Sequence, residues 1–128
     1  MDLPLLAHAV LEETAGADMV RALLELGADP NLAERGRGWT PLYFAAQSNA
    51  FDAMRVLLEF GSDHSVVDVY RKTALHIATS NARGDLTGVR ALLRAGADPY
   101  VEDRYGNSPR AIAEIIANFH TRDAFVDL

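Results

Sequence analysis

The amino-acid sequence predicts an all-α solenoid of about four stacked helix–turn–helix units with protruding finger loops, and three observations predict it. One phrase, LLELGADPN at 23–31, returns as LLEFGSDHS at 57–65 and as LLRAGADPY at 92–100. A second phrase, TPLYFAA at 40–46, returns as TALHIAT at 73–79 and SPRAIAE at 108–114. The two phrases alternate, and Thr40, Thr73 and Ser108 stand 33 and 35 residues apart, so what repeats is a whole supersecondary unit.

The first unit, 3–34, opens on LPLLAHA at 3–9, a diverged copy of the second phrase that predicts a helix start with Asp2 or Leu3 near the cap. Val20, Leu23 and Leu24 then recur at the spacing of one helix face. Gly27 follows, where a residue without Cβ enters the left-handed conformation at least cost and ends the helix. Asp29 favours a turn, and Pro30 prevents the helix from resuming. The second unit, 35–67, starts its helix at Thr40, an N-cap residue type, with Pro41 at the first helical position, where its missing N–H is not needed. Its second helix carries Phe51, Met54, Leu57 and Leu58 and stops at Gly61. In the third unit, 68–102, Thr73 is the cap, Leu86, Val89, Leu92 and Leu93 form the stripe, and Gly96, Asp98 and Pro99 end it. The last unit, 103–128, starts at Ser108 and Pro109, and Phe125, Val126 and Leu128 are expected to cover the end of the stack or to dock on a second molecule.

GWTPLYFAA, KTALHIA and VRALLRAGADPYVEDRYGNSP together resemble ankyrin repeats, and the resemblance covers nearly the whole chain. It implies an ankyrin-type solenoid: helix pairs share a core through their leucine stripes and the small Ala45, Ala46 and Ala78, and the flank of first helices and fingers is left for binding. The chain departs from the pattern by about three extra residues in VLEETAGAD, about two in TSNARGD and one in the first finger, AERGRG. Arg71 stands where the finger tip usually has glycine, and Arg110 where the last unit would have leucine.

Superposing the units places Arg37, Tyr70 and Tyr105 at equivalent finger positions and Trp39, Lys72 and Asn107 just before the caps. On the first helices the exposed equivalents are Gln47 and Ser48, then Thr79 and Ser80, with Asn49 and Asn81 close by. Tryptophan, tyrosine and arginine dominate binding hot spots, which makes Arg37, Trp39, Gln47, Asn49, Tyr70, Lys72, Thr79, Asn81, Arg104, Tyr105 and Asn107 the candidate partner-binding set. Finger aromatics also pack on neighbouring fingers, and that reading stands beside the first. The fingers collect Arg35, Arg37, Arg71, Lys72 and Arg104, but Glu34, Asp68, Glu102 and Asp103 lie beside them in sequence, and mutual neutralisation is the simpler reading.

Catalytic chemistry has little to stand on. His76 fills the histidine place of the repeat, where a structural hydrogen bond is expected, and His8, His64 and His120 show no ligand spacing, so no metal or other cofactor is expected. GDLTG and RGRG lack the lysine and the preceding strand of a phosphate loop, Glu12 and Glu13 point apart on a helix, and no nucleophile has an identifiable base. The chain is read as a non-enzyme.

With 128 residues, 49% hydrophobic and 23% charged, it is expected to form one domain, monomeric when free. Zero cysteines and a start without a basic segment point to the cytoplasm, and no apolar run is long enough for a membrane span. A net charge of −6 discourages nucleic acid and favours partners carrying positive charge. The expected function is binding of another protein. Two roles stay open: an inhibitor or immunity protein that blocks an enzyme or toxin, for which a small rigid face suffices, and a scaffold or adaptor in a larger complex.

Overall fold

The computed structural model describes residues 3–12 and 16–116. Glu13, the Asp2 cap and the apolar tail of Phe125, Val126 and Leu128 lie outside the described residues, as does His120. Among the described residues there are seven helices and no strand: α1 (Leu5–Val10), α2 (Gly16–Glu25), α3 (Pro41–Ser48), α4 (Phe51–Glu59), α5 (Ala74–Ser80), α6 (Thr87–Arg94) and α7 (Pro109–Ile115). Consecutive helices pair as α1/α2, α3/α4 and α5/α6. The first helices then stack in the order α1, α3, α5, α7, and the second helices in the order α2, α4, α6. The expected solenoid is the architecture observed. Among the described residues no helix is long and apolar enough to cross a membrane.

The twin leucines and the glycine form one device. Gly27, Gly61 and Gly96 have φ of 98°, 89° and 101°. In each copy the glycine N–H donates to the carbonyl of the second leucine, and the next residue's N–H donates to the first: Gly27 to Leu24 and Ala28 to Leu23, Gly61 to Leu58 and Ser62 to Leu57, Gly96 to Leu93 and Ala97 to Leu92, all at 3.0 to 3.1 Å. That is the Schellman arrangement, which satisfies two otherwise orphan carbonyls. Asp29, Asp63 and Asp98 then accept from the N–H two residues on, in Asn31, Ser65 and Tyr100, at 2.8 to 2.9 Å, and this reverses the chain.

Helix starts are less uniform than the sequence suggests. Thr73 and Ser108 cap α5 and α7, accepting from the N–H of His76 and Ala111. Thr40 occupies the N-cap of α3, but its hydroxyl makes no capping bond there; the Tyr43 N–H donates to its carbonyl instead. At α1 the cap is Pro4, so the first helix starts later than Asp2 or Leu3 would place it.

The core runs the length of the stack through Leu6, Val20, Leu42, Met54, Leu57, Leu75, Val89 and Leu92, with Ala45, Ala46 and Ala78 buried between first helices. Gly88 is also buried, and a Cβ there would meet Phe51 Cε1 at 3.1 Å, so α6 lies close upon α4 because no side chain intervenes.

Candidate functional site

Each finger is closed around a carboxylate. Asp68 is buried and its Oδ1 accepts from the N–H of Tyr70 (2.8 Å) and Lys72 (2.9 Å); buried Asp103 does the same for Tyr105 (2.9 Å) and Asn107 (3.0 Å). Glu34 closes the longer first finger, accepting from Gly36, Arg37 and Trp39 at 2.8, 2.7 and 3.1 Å. Burial works to raise the Glu34 pKa, but the N–H groups of Trp39, Arg37 and Gly36 and the Arg37 charge outweigh it and hold the carboxyl below its usual range. These acids are therefore turned inward onto backbone donors. Their first partners are backbone N–H groups, and of the neighbouring bases Arg37 adds its charge at Glu34. The ion pairs Arg21–Glu59 and Arg55–Asp52 both lie on second helices.

Backbone bonds fix one finger to the next. Each is a narrow hairpin, closed by Glu34 N–H to Trp39, Asp68 N–H to Lys72 and Asp103 N–H to Asn107 at 2.8 to 2.9 Å. Val69 N–H donates to the Arg37 carbonyl (3.0 Å), and Arg104 N–H donates to Tyr70 (2.8 Å). The fingers also reach inward. His76 Nδ1 accepts from the Thr73 N–H at 3.0 Å, while its Nε2 lies 2.9 Å from the Asn107 carbonyl. A carbonyl can only accept, so the proton is on Nε2, and α5 is tied to the third finger. Burial lowers the His76 pKa more than the Asn107 bond and nearby acids raise it, which keeps the imidazole neutral. The structural role expected of His76 is the one it has. Tyr43, in the equivalent place on α3, sets its hydroxyl 2.6 Å from the Val66 carbonyl and 2.5 Å from that of Lys72. Burial, with Asp68 and Asp63 nearby, pushes its pKa well above the ordinary range.

On this frame the candidate residues divide. Trp39 is only 5% exposed: its ring stacks on Tyr43 and meets Phe44 edge-on, and Nε1 donates to Asp68 Oδ2 at 2.9 Å. Its expected place on the open face is corrected, because the indole fills the joint between two fingers and its N–H needs a buried acceptor. Thr79, 1% exposed, is corrected likewise; its hydroxyl bonds back to the Leu75 carbonyl at 2.8 Å inside α5. Asn49 is exposed but has φ of 55° and ends α3, the role glycine plays elsewhere. Asn81 ends α5, half-buried, with Nδ2 donating to Ile77. Asn107 is half-buried and holds His76 through its carbonyl.

What remains open is a column on the fingers. Tyr70 and Tyr105, 42% and 65% exposed, stack with centroids 6.5 Å apart and planes 22° apart. Lys72 Nζ lies 6.0 Å from the Tyr105 ring, and the half-buried Arg37 lies over Trp39, Cζ 3.7 Å from its centroid. Arg104 and Gln47 are exposed. Sequence reasoning passed over Val69, 44% exposed between Asp68 and Tyr70, and the organising role of the three acids. The signal for the latter was present: an acid stands five or six positions before each of Thr40, Thr73 and Ser108. Arg71, at the tip, has φ of 61° where Gly38 and Gly106 have 78° and 80°, so it adopts the glycine conformation without being one.

Among the described residues no group of three or more histidines and carboxylates is placed to hold a metal ion. Among the described residues the fingers present the exposed Tyr70, Tyr105 and Arg104 on hydrogen-bonded hairpins.

Comparison with known proteins agrees with this architecture. A family model described as "Ankyrin repeats (3 copies)" matches residues 6–103. E3 ubiquitin-protein ligase KEG of Arabidopsis thaliana is 35% identical over 101 residues, covering 79% of the chain and 6% of that protein. CAP-Gly domain-containing linker protein 3 of Mus musculus is 36% identical over 111 residues, covering 83% of the chain and 20% of that protein. NF-kappa-B inhibitor zeta of Homo sapiens is 31% identical over 111 residues, covering 83% of the chain and 16% of that protein. The chain thus spans no more than a fifth of the length of these relatives.

Proposed function

Since the chain belongs to the ankyrin-repeat family, we propose that it is a non-catalytic module that binds another protein through its fingers and the flank of first helices beside them. The stacked, exposed pair Tyr70–Tyr105 carries this reading. Two large aromatic side chains held on hydrogen-bonded hairpins present contact area whose ordering entropy was already lost on folding, which is the condition for an efficient anchor. The contact set is Arg37, Lys72, Arg104, Tyr70 and Tyr105, with Gln47 and the exposed edges of Asn49, Asn81 and Asn107 at its border. Trp39 and Thr79 support it from beneath.

Within this reading the chain acts by occupying its partner's surface, as an inhibitor or an immunity protein against a toxin does, in the cytoplasm and as a monomer when free. One relative, NF-kappa-B inhibitor zeta, is by its name an inhibitor, which supports placing occlusion ahead of a scaffold role.

Capture of a partner from the source cell on immobilised chain tests the proposal. Tyr70→Ala and Tyr105→Ala should each weaken capture by about 2 kcal/mol or more, with an unchanged circular dichroism spectrum. Undiminished capture by the double variant overturns the assignment of the face. A captured enzyme that loses activity supports occlusion; one that stays active overturns it in favour of a scaffold.

A further inference from the structure

We infer that the partner meets this face with an acidic segment carrying an aromatic or aliphatic side chain, although the chain itself has a net charge of −6. The inference rests on the protein-binding reading above and assigns the chemistry of the partner. Its basis is a layering of charge within the fingers. Glu34, Asp68 and Asp103 are buried, each accepting two or three backbone N–H bonds. Arg35, Arg71 and Arg104 are exposed, and among the described residues they make no ion pair or side-chain hydrogen bond. Lys72 and Arg37, half-buried, lie along the aromatic rings.

Counted with exposed Glu102, the fingers are close to neutral, but cations form the outer layer and carboxylates the inner one. A partner at contact distance meets the outer layer first. The acidic remainder of the chain acts from farther away, and charges beyond the Debye length of about 8 Å at physiological ionic strength are largely screened. The local surface therefore outweighs the global balance in deciding what docks. Arginine forks match carboxylates in a bidentate way, and the exposed ring pair Tyr70–Tyr105 takes the apolar side chain. A polyphosphate backbone would satisfy the cations equally, so nucleic acid is the competing outcome. The polypeptide is preferred because the inference rests on the protein-binding reading of the ankyrin repeats, and the titration below separates the two.

A second basic patch supplies the control. Arg83, Arg90 and Arg94 line an open hollow at the end of α5 remote from the fingers, with no aromatic side chain among its lining residues. The test titrates the full chain with poly-L-glutamate, with a glutamate–tyrosine copolymer and with a single-stranded oligothymidylate. The readout is binding affinity together with amide chemical shifts. The copolymer should bind tightest, with shifts at residues 69–72 and 104–107, and added salt should weaken it. Arg71→Glu with Arg104→Glu should lower copolymer affinity by about tenfold or more, as loss of contact charges does. Arg90→Glu with Arg94→Glu changes the net charge equally and should alter it little. Equal weakening by both pairs, or tighter binding of the oligothymidylate, overturns the inference. So does a cellular partner whose capture needs Tyr70 and Tyr105 but ignores the Arg71/Arg104 reversal, and that result leaves the protein-binding reading standing.

Discussion

Glu34 carries one methylene more than Asp68 and Asp103, and the finger it closes is one residue longer than theirs. Reach matches span, so a carboxylate sits under each turn despite the insertion. Shortening it should be costly. Glu34→Asp keeps the charge but draws the oxygens back from the N–H groups of Gly36, Arg37 and Trp39, and an unmade buried bond costs about 1–3 kcal/mol. A urea titration checks this, and an unchanged midpoint would show that the loop closes without its acid. Arg71 makes the complementary point: a non-glycine at φ of 61° is held there by the two N–H bonds of Asp68 on either side of it.

At the scale of the helix, the twin leucines do two things at once. Leu57 and Leu92 are fully buried, and their carbonyls accept the bonds that end α4 and α6. Only the side chain is altered by truncation, so Leu57→Ala and Leu92→Ala should each cost about 2–5 kcal/mol through the cavity left behind, with the helix stops intact. Thermal unfolding followed by circular dichroism measures it, and melting at the wild-type temperature would contradict the shared core. These elements were legible in the sequence because the apolar period, the glycine stop and the cap are local signals. The cap of α1 was not. Its phrase has lost the threonine, and Pro4 at the N-cap makes no side-chain bond; only its carbonyl serves, accepting from the N–H of Ala7 and His8.

Across the whole molecule, acidification acts in one direction. The folded pKa values of His76 and Glu34 both lie below their ordinary ones, so the stability each contributes is complete above its unfolded pKa and is lost as the pH falls through the folded one. Stability should hold near neutrality, begin to fall below about pH 6.5 as the unfolded chain's imidazole takes up a proton that buried His76 resists, and fall again below about pH 4.3 through Glu34 in the same way. Urea midpoints measured across that range check the order of the two steps, and His76→Asn should remove the first. The candidate face was less legible than the fold. Repeat register placed Tyr70 and Tyr105 correctly in a column, but register cannot tell which member of a column turns inward. That depends on contacts between units: Trp39 turns in because Asp68, 29 residues away, offers its indole N–H a buried acceptor. The same separation in sequence hid the fate of the three acids, whose partners are backbone groups that every residue type supplies.

That indole is the sole tryptophan of the chain, and it is lodged where one finger abuts the next. Its fluorescence therefore comes from a seam rather than from any single helix. Parting of adjacent units would redden the emission while the far-ultraviolet spectrum still reports intact helices, so unlabelled protein carries its own gauge of whether the array opens unit by unit or all at once.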